Sequence, residues 1–232
     1  MKIRRANDRG LTDIGWLKSR HSFSFGDYYD PRQMGFRTLR VINDDWVAAG
    51  KGFGMHGHRD MEILTLVLQG ELEHQDSLGH KEVLRPGEVQ VMSAGKGIRH
   101  SEYNPSNTNA AHFLQIWIEP HTMGITPRYE QRAFPLSECD NSWCCLAGPG
   151  TRKDGSFEIF QNTSVLYGIA RPGGSLSHVV KDGGAAWLHV IEGEVGVNGS
   201  NLKIGDAATI EEASTIECVS MSDESSLLLF SF

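Results

Sequence analysis

Residues 66–88 read LVLQGELEHQDSLGHKEVLRPGE, and residues 189–206 read HVIEGEVGVNGSNLKIGD. Each opens on an apolar run of strand length, reaches Gly-Glu, and continues as an alternating segment. Each then turns and closes on a second short run ending in glycine and an acidic residue. Gly70 matches Gly193, and Gly87 matches Gly205. Upstream, Ala49-Gly50 shortly precedes His56, as Pro172-Gly173 shortly precedes His178. Such self-similarity marks one supersecondary unit used twice.

The rest of the chain agrees with a β-unit. Strand-length apolar runs lie at Thr38 to Ile42, Ile63 to Leu68, Val89 to Met92, Phe113 to Ile118, Trp187 to Ile191 and Leu227 to Phe230. They are rich in β-branched and aromatic residues, and the 26 glycines punctuate them. Turn chemistry is predicted at Asn43-Asp44-Asp45, Asp76-Ser77-Leu78-Gly79, Arg85-Pro86-Gly87 and Asn198-Gly199. Many short strands with regular turns predict an all-β sandwich or barrel with few short helices. Glu119 to Pro135 carries Pro120, Pro127 and Pro135 and few apolar residues, so it reads as the connection. The division expected is an N-terminal barrel over 1–133 and a C-terminal barrel over 134–232.

The 232 residues carry a formal net charge of −7, which disfavours nucleic acid and anionic lipid as direct partners. The four cysteines, Cys139, Cys144, Cys145 and Cys218, are too few for a disulfide framework and read as reduced thiols. The start MKIRRANDRG has no apolar stretch after its basic residues. No run reaches the roughly 18 apolar residues a membrane span needs. A cytoplasmic location is expected.

The chemistry concentrates in Gly54-Met55-His56-Gly57-His58 and in Gly97-Ile98-Arg99-His100-Ser101-Glu102. Residues at i and i+2 on a strand face the same way. Two strands then each offer two ligand-type side chains, His56 with His58 and His100 with Glu102. Neutral imidazoles and one carboxylate leave a divalent ion with residual positive charge and room for an anionic oxygen donor. Glu62 competes with Glu102 as the acidic ligand, because a regular strand gives it the parity of His56 and His58. A bulge near Asp60 would turn it away. His74 and His80 flank a hairpin turn and are expected in solvent. His21, in an aromatic segment, either lines a pocket or packs. His112, His121 and His189 lack ligand-like neighbours. His178 stands where the second copy would place a ligand, but no second His and no His-x-Glu follow, so that copy is read as metal-free.

His-x-His-x3-Glu followed by Gly-x2-His-x3-Asn resembles the two motifs of the cupin superfamily. The gap from Glu62 to Gly70 is one residue longer than usual, and Gly95 replaces a common proline. A narrower set of stretches is similar to the pirin family: His21-Ser-Phe-Ser-Phe with Tyr29-Asp30-Pro31, Gly35-Phe36 with Leu39-Arg40-Val41, His58-Arg-Asp-Met-Glu62, Glu73-His-Gln-Asp-Ser77, Ser93-Ala-Gly95 and Gly97-Ile-Arg-His-Ser-Glu102. The likeness is dense from residue 4 to about residue 131 and faint beyond. It implies a bicupin of two face-to-face β-barrels, with metal held by His56, His58, His100 and Glu102 in the first. It implies iron, Fe(II), as the ion, with manganese, cobalt, nickel, copper or zinc as substitutes.

Three functions are weighed on this basis. The first is a dioxygenase acting on quercetin or a similar flavonol with O2 and releasing carbon monoxide. In it Glu102 is the base, and Phe53, Gln115 and Trp117 are candidate contacts for a small aromatic substrate. The second is a regulatory module whose metal redox state tunes binding to a protein partner. The third is an isomerase or simple metal store; a sugar-phosphate isomerase would need basic residues around the pocket, and Arg59 and Arg99 stand near the ligands in sequence, with Arg59 expected to point away from its histidine neighbours.

Overall fold

Glycine-marked turns divide the chain as the repeat predicts. Gly70 and Gly193 both take positive φ (76° and 81°), and so do Gly87 and Gly205 (85° and 77°). These are conformations that cost glycine little and other residues much. The computed structural model describes residues 1–150, 155–212 and 214–232. Among these, helix is confined to two 3-10 turns, Ala6–Asp8 and Leu136–Cys139. No helix of the described chain is long and apolar enough to cross a membrane.

The chain forms two compact units. In the unit built on residues 10–134, the larger sheet has the strand order Arg128–Ala133, Glu88–Ser93, Glu62–Gln69, Ala111–Ile118, Leu39–Val47, Leu17–His21, Gly10–Asp13. Its smaller sheet runs Gly52–His58, Ile98–Tyr103, Leu72–Asp76, Lys81–Leu84. The other unit repeats the scheme. Its smaller sheet runs Leu176–Val180, Ser214–Ser220, Glu194–Val197, Ser200–Lys203. Pairing is antiparallel throughout both smaller sheets. The six apolar runs singled out in the sequence fall on strands, apart from Thr38, which lies in the turn before Leu39–Val47.

The interiors differ in chemistry. The second unit is filled by an apolar cluster that includes Leu176, Val180, Leu188, Val195, Ile216, Cys218 and Leu229. A fully buried side chain of this kind contributes about 1.5–3 kcal/mol. The first unit has apolar clusters around Phe113 and around Met92. It also buries Asn43, Asp45, Glu62, His74, Asp76, His100, Glu102 and Gln115. Burying so many polar groups is costly unless they are paired or serve a ligand, which already separates a working interior from a structural one.

Four expectations need correction. Asn43-Asp44-Asp45 is not a turn but the middle of strand Leu39–Val47, where backbone pairing on both sides overrides local turn preference. Glu119–Pro135 is not simply a connection, because Arg128–Ala133 pairs with Glu88–Ser93 as an edge strand of the first unit. The units part after Phe134, one residue from the expected cut, but residues 1–9 lie with the C-terminal unit and residues 159–161 with the N-terminal one. Lys2–Arg4 pairs with Ala207–Ile210, and Asp206 accepts from Arg5 Nη1 at 2.8 Å and from the Ala6 amide at 2.7 Å. Finally, Cys139 and Cys144 form a disulfide with Cα atoms 5.5 Å apart, leaving Cys145 and Cys218 as thiols. The turn Leu136–Cys139 folds back on Trp143–Pro149 and brings the pair together.

Candidate metal centre

Gly52–His58 and Ile98–Tyr103 run antiparallel with His100 opposite His56 and Ile98 opposite His58. The register then shifts, and Glu102 faces Phe53. Two residues, Gly54 and Met55, therefore oppose Ser101 alone, which is a β-bulge. The bulge brings Phe53 to the face of His56 although the two are three residues apart. A Cβ at Gly52 would run into the Glu102 carbonyl and the Tyr103 backbone, so a glycine lets the two strands close at this point.

The three imidazoles of His56, His58 and His100 converge. Ring centroids are 4.8 Å apart for His56–His58, 4.4 Å for His56–His100 and 4.8 Å for His58–His100. One nitrogen from each lies within 4.8 Å of the others. His56 Nδ1 donates to the Gly54 carbonyl at 2.8 Å, which leaves Nε2 as the lone-pair nitrogen. Burial, reinforced by His56, lowers the His58 pKa to about 4. Burial and the neighbouring His56, His58 and His74 lower that of His100 to about 2. Both rings are neutral at pH 7 and present as bases.

Glu102 is fully buried, and burial raises its carboxyl to about 7 against the opposing hydrogen bond from Gln115. Gln115 Nε2 donates to Oε2 at 2.8 Å, while Oε1 has no hydrogen-bond partner. His100 Nε2 is likewise buried and unpartnered. The unpaired imidazole nitrogen of His100 and the unpaired carboxylate oxygen of Glu102 are donor types that suit a borderline divalent ion, and His56 and His58 add two more imidazoles beside His100. Glu62 lies elsewhere. The left-handed turn at Asp60 (φ 48°) ends the first strand before Glu62 opens a strand of the larger sheet. There Ser93 Oγ donates to Glu62 Oε2 at 2.7 Å, and Arg128 Nε donates to Ser93 Oγ at 3.1 Å.

His74 corrects an expectation. It is fully buried rather than solvated, on the inward face it shares with Leu72 and Asp76. Its Nε2–H donates to Asp76 Oδ2 at 3.2 Å, so its Nδ1 accepts from His100 Nδ1–H at 3.4 Å. That arrangement leaves His100 Nε2 facing the cluster with its lone pair free. A second group of ligand atoms, His74 with His100 and Glu102, also lies within 4.8 Å. Both nitrogens of His74 are engaged, so it orients rather than ligates. Asp76 also accepts from His80 Nδ1 at 2.9 Å and from the amides of Leu78 and His80. Burial alone would raise its carboxyl, but these hydrogen bonds outweigh it and hold the pKa low. His80 is half-buried and, like His74, stacks on Tyr129.

A cavity of about 200 Å³ adjoins the cluster, with His56, His58 and Glu102 in its wall. Phe53, Gln115 and Trp117 line it, together with His21, Phe25, Asn43 and Asp45. Phe113, on the same strand face as Gln115 and Trp117, packs into the core instead. Trp117 stands edge-on to His58 with centroids 4.8 Å apart, and Phe53 meets Trp16 at 5.4 Å. His21 both lines the cavity and packs, with Nδ1 2.7 Å from Asn43 Oδ1 and Nε2 2.9 Å from Thr12 Oγ1. The described lining holds no lysine or arginine, and Arg59 and Arg99 are exposed, which removes the basis for a sugar-phosphate isomerase.

In the second unit only His178 remains at the four equivalent positions, the others being Val180, Ile216 and Cys218. His178 faces Ile216 where His56 faces His100, and Cys218 follows where Glu102 would stand. His178 Nε2 is 3.0 Å from Ser231 Oγ, and no metal-type cluster involves this unit among the described residues.

The sequence reading missed His74, Asp76 and Asp45. The alternation Leu72, His74, Asp76 held a signal for the first two. Asp45 was hidden in what looked like a turn.

Known proteins fit this picture. The family model named Pirin matches residues 3–118, and one named Quercetinase C-terminal cupin domain matches residues 146–232. A protein of Escherichia coli strain K12 named quercetin 2,3-dioxygenase is 47% identical over 228 residues, covering 98% of this chain and 96% of its own. A putative quercetin 2,3-dioxygenase of Pasteurella multocida is 39% identical over 99% of this chain and 98% of its own. The crystal structure of the Escherichia coli bacterial pirin YhhW in complex with nickel(II) superposes with a TM-score of 0.92. It is 45% identical and covers 99% of this chain and 97% of its own. With these matches across nearly its whole length, the chain belongs to the pirin family, and its two units are those of a bicupin.

Proposed function

We propose that this protein is a metal-dependent dioxygenase that opens quercetin or a similar flavonol with O2 and releases carbon monoxide. The observation that carries the reading is the three-histidine cluster beside a buried Glu102, at the wall of a cavity with aromatic sides. The relatives named for quercetin 2,3-dioxygenase activity support the substrate class. His56, His58, His100 and Glu102 would hold one divalent ion, Fe(II) for preference. Nickel(II) in the Escherichia coli relative supports a site that accepts more than one metal. When bound, the ion supplies Lewis acidity and the redox partner that triplet dioxygen needs.

The chain's own residues supply the rest. Phe53 and Trp117 pack against the flat rings and exclude water from the reacting end. The Glu102 carboxylate takes the proton from the flavonol 3-hydroxyl. Glu102 lines the cavity and its Oε1 has no protein partner, so it is open to a substrate proton. Gln115 holds the second carboxylate oxygen and so limits the rotation of the base. As the ring opens, both atoms of O2 enter the product, carbon monoxide leaves, and Glu102 returns its proton to the product.

The test is reconstitution with ferrous iron while quercetin absorbance, oxygen uptake and carbon monoxide are followed together. One O2 consumed and one CO released per quercetin is expected, abolished by His56→Ala. Glu102→Gln is expected to lower turnover at least 100-fold while retaining part of the metal. A fully loaded protein with no oxygen uptake would reject the reading, and equal turnover in Glu102→Gln would reject the base.

A further inference from the structure

Most polar groups in the cavity wall are engaged with protein. His21 joins Asn43 and Thr12, and Ser19 Oγ lies 3.3 Å from His21 Nδ1. Asp45 is different. It lies on strand Leu39–Val47, paired across to Ser19 on one side and Phe113 on the other, and is only 3% exposed. The Ser19 hydroxyl bonds its carboxyl, but Oδ1 has no hydrogen-bond partner among the described residues. The side chain lines the same cavity as His56, His58 and Glu102. A buried carboxylate oxygen without a donor is one of the costliest features a fold can retain. It becomes favourable when a ligand brings the missing donor, and a charged acceptor makes that bond strong.

We propose that Asp45 is a second substrate anchor, whose Oδ1 accepts a hydrogen bond from a hydroxyl other than the one Glu102 deprotonates. This rests on the flavonol reading and narrows it: the substrate is a polyphenol, with at least one phenolic hydroxyl besides the enolic one. A flavonol without that hydroxyl leaves Asp45 buried and unpaired, and sites built to bond a hydroxyl discriminate strongly against analogues that lack it. Burial also lifts the Asp45 carboxyl to about 7, with Ser19 opposing and Asp44 and Glu102 adding to the rise. That cost is relieved when a hydroxyl donates to the charged form.

The test is anaerobic binding to nickel-loaded protein, read by quenching of tryptophan fluorescence. The probes are quercetin and 3-hydroxyflavone, which keeps the enolic hydroxyl and lacks the others. Wild type is expected to prefer quercetin on the order of 10- to 100-fold. Asp45→Ala loses that preference while its nickel content stays at the wild-type level. Asp45→Asn, which keeps a neutral acceptor, retains part of it. Comparing two ligands within one variant cancels any general loss of stability. An unchanged preference in Asp45→Ala overturns the anchor and leaves the flavonol reading standing. Failure of both flavonols to bind wild type overturns the two together.

Discussion

Replacing His74 by Phe is the sharpest test of how the first unit prepares a metal ligand. Phe keeps the stacking on Tyr129, whose ring centroid lies 4.4 Å away, so the packing is largely preserved. What disappears is the acceptor for His100 Nδ1–H and the donor to Asp76. The imidazole of His100 is then free to exchange tautomers or to rotate, and its Nδ1–H is left buried without a partner. Such a group costs about 1–3 kcal/mol. Outer-shell partners of metal-bound histidines typically contribute 10- to 100-fold in affinity, which agrees. Competition for nickel(II) against a chelator of known affinity should therefore show a Kd raised about 10- to 100-fold, with one ion still bound per chain. His100→Ala should lose far more, and Asp76→Asn should fall between wild type and His74→Phe. An affinity for His74→Phe within twofold of wild type would refute the reasoning. A loss as large as that of His100→Ala would show His74 to be a ligand instead.

Further outcomes follow from the same structure. Burial raises the Asp45 carboxyl from 3.8 to about 7, so its contribution to folding is whole below the unfolded value and is lost as pH rises through 7. In metal-free protein, urea denaturation should show Asp45→Asn gaining on wild type by up to about 4 kcal/mol between pH 4 and 8. A difference independent of pH would contradict this. His58 works in the opposite sense, since its pKa is lowered to about 4 and its contribution fades as pH falls below 6.5. The comparison with Asp45→Asn removes that background. His178→Ala should leave metal stoichiometry at one per chain by plasma emission analysis, because Ile216 and Cys218 stand where ligands would be needed. Asp206→Ala should destabilise the C-terminal unit by about 1–3 kcal/mol in urea, because it strands the donors of Arg5, Ala6 and Lys203.

The apolar runs, the glycine turns and the repeat were legible because strand period and turn chemistry are local properties of a few neighbouring residues. The histidine pairs were legible for the same reason, since i and i+2 share a face on any strand. Asn198-Gly199 forms its hairpin as read, with φ values of 46° and 80°. Asn43-Asp44-Asp45 has equally strong turn composition, yet strands on either side hold it extended. Local preference is worth a few tenths of a kcal/mol to about 1 kcal/mol, and pairing with two strands outweighs it. Polar composition also hid the strand Arg128–Ala133, whose Tyr129 covers His74 and His80.

Local pattern along the chain was enough for an all-β architecture with a duplicated unit, and it pointed to His56, His58, His100 and Glu102 as the candidate donors. Tertiary structure decided which way the remaining polar residues face. The turn at Asp60 sends Glu62 into the other sheet, the bulge at Gly54-Met55 brings Phe53 to the cavity, and barrel closure turns His74 and Asp45 inward. It also decided that residues 1–9 complete the C-terminal unit, through Asp206 and the strand Ala207–Ile210. These outcomes depend on long-range pairing and on which face of a sheet is closed over. Spacing along the chain records neither.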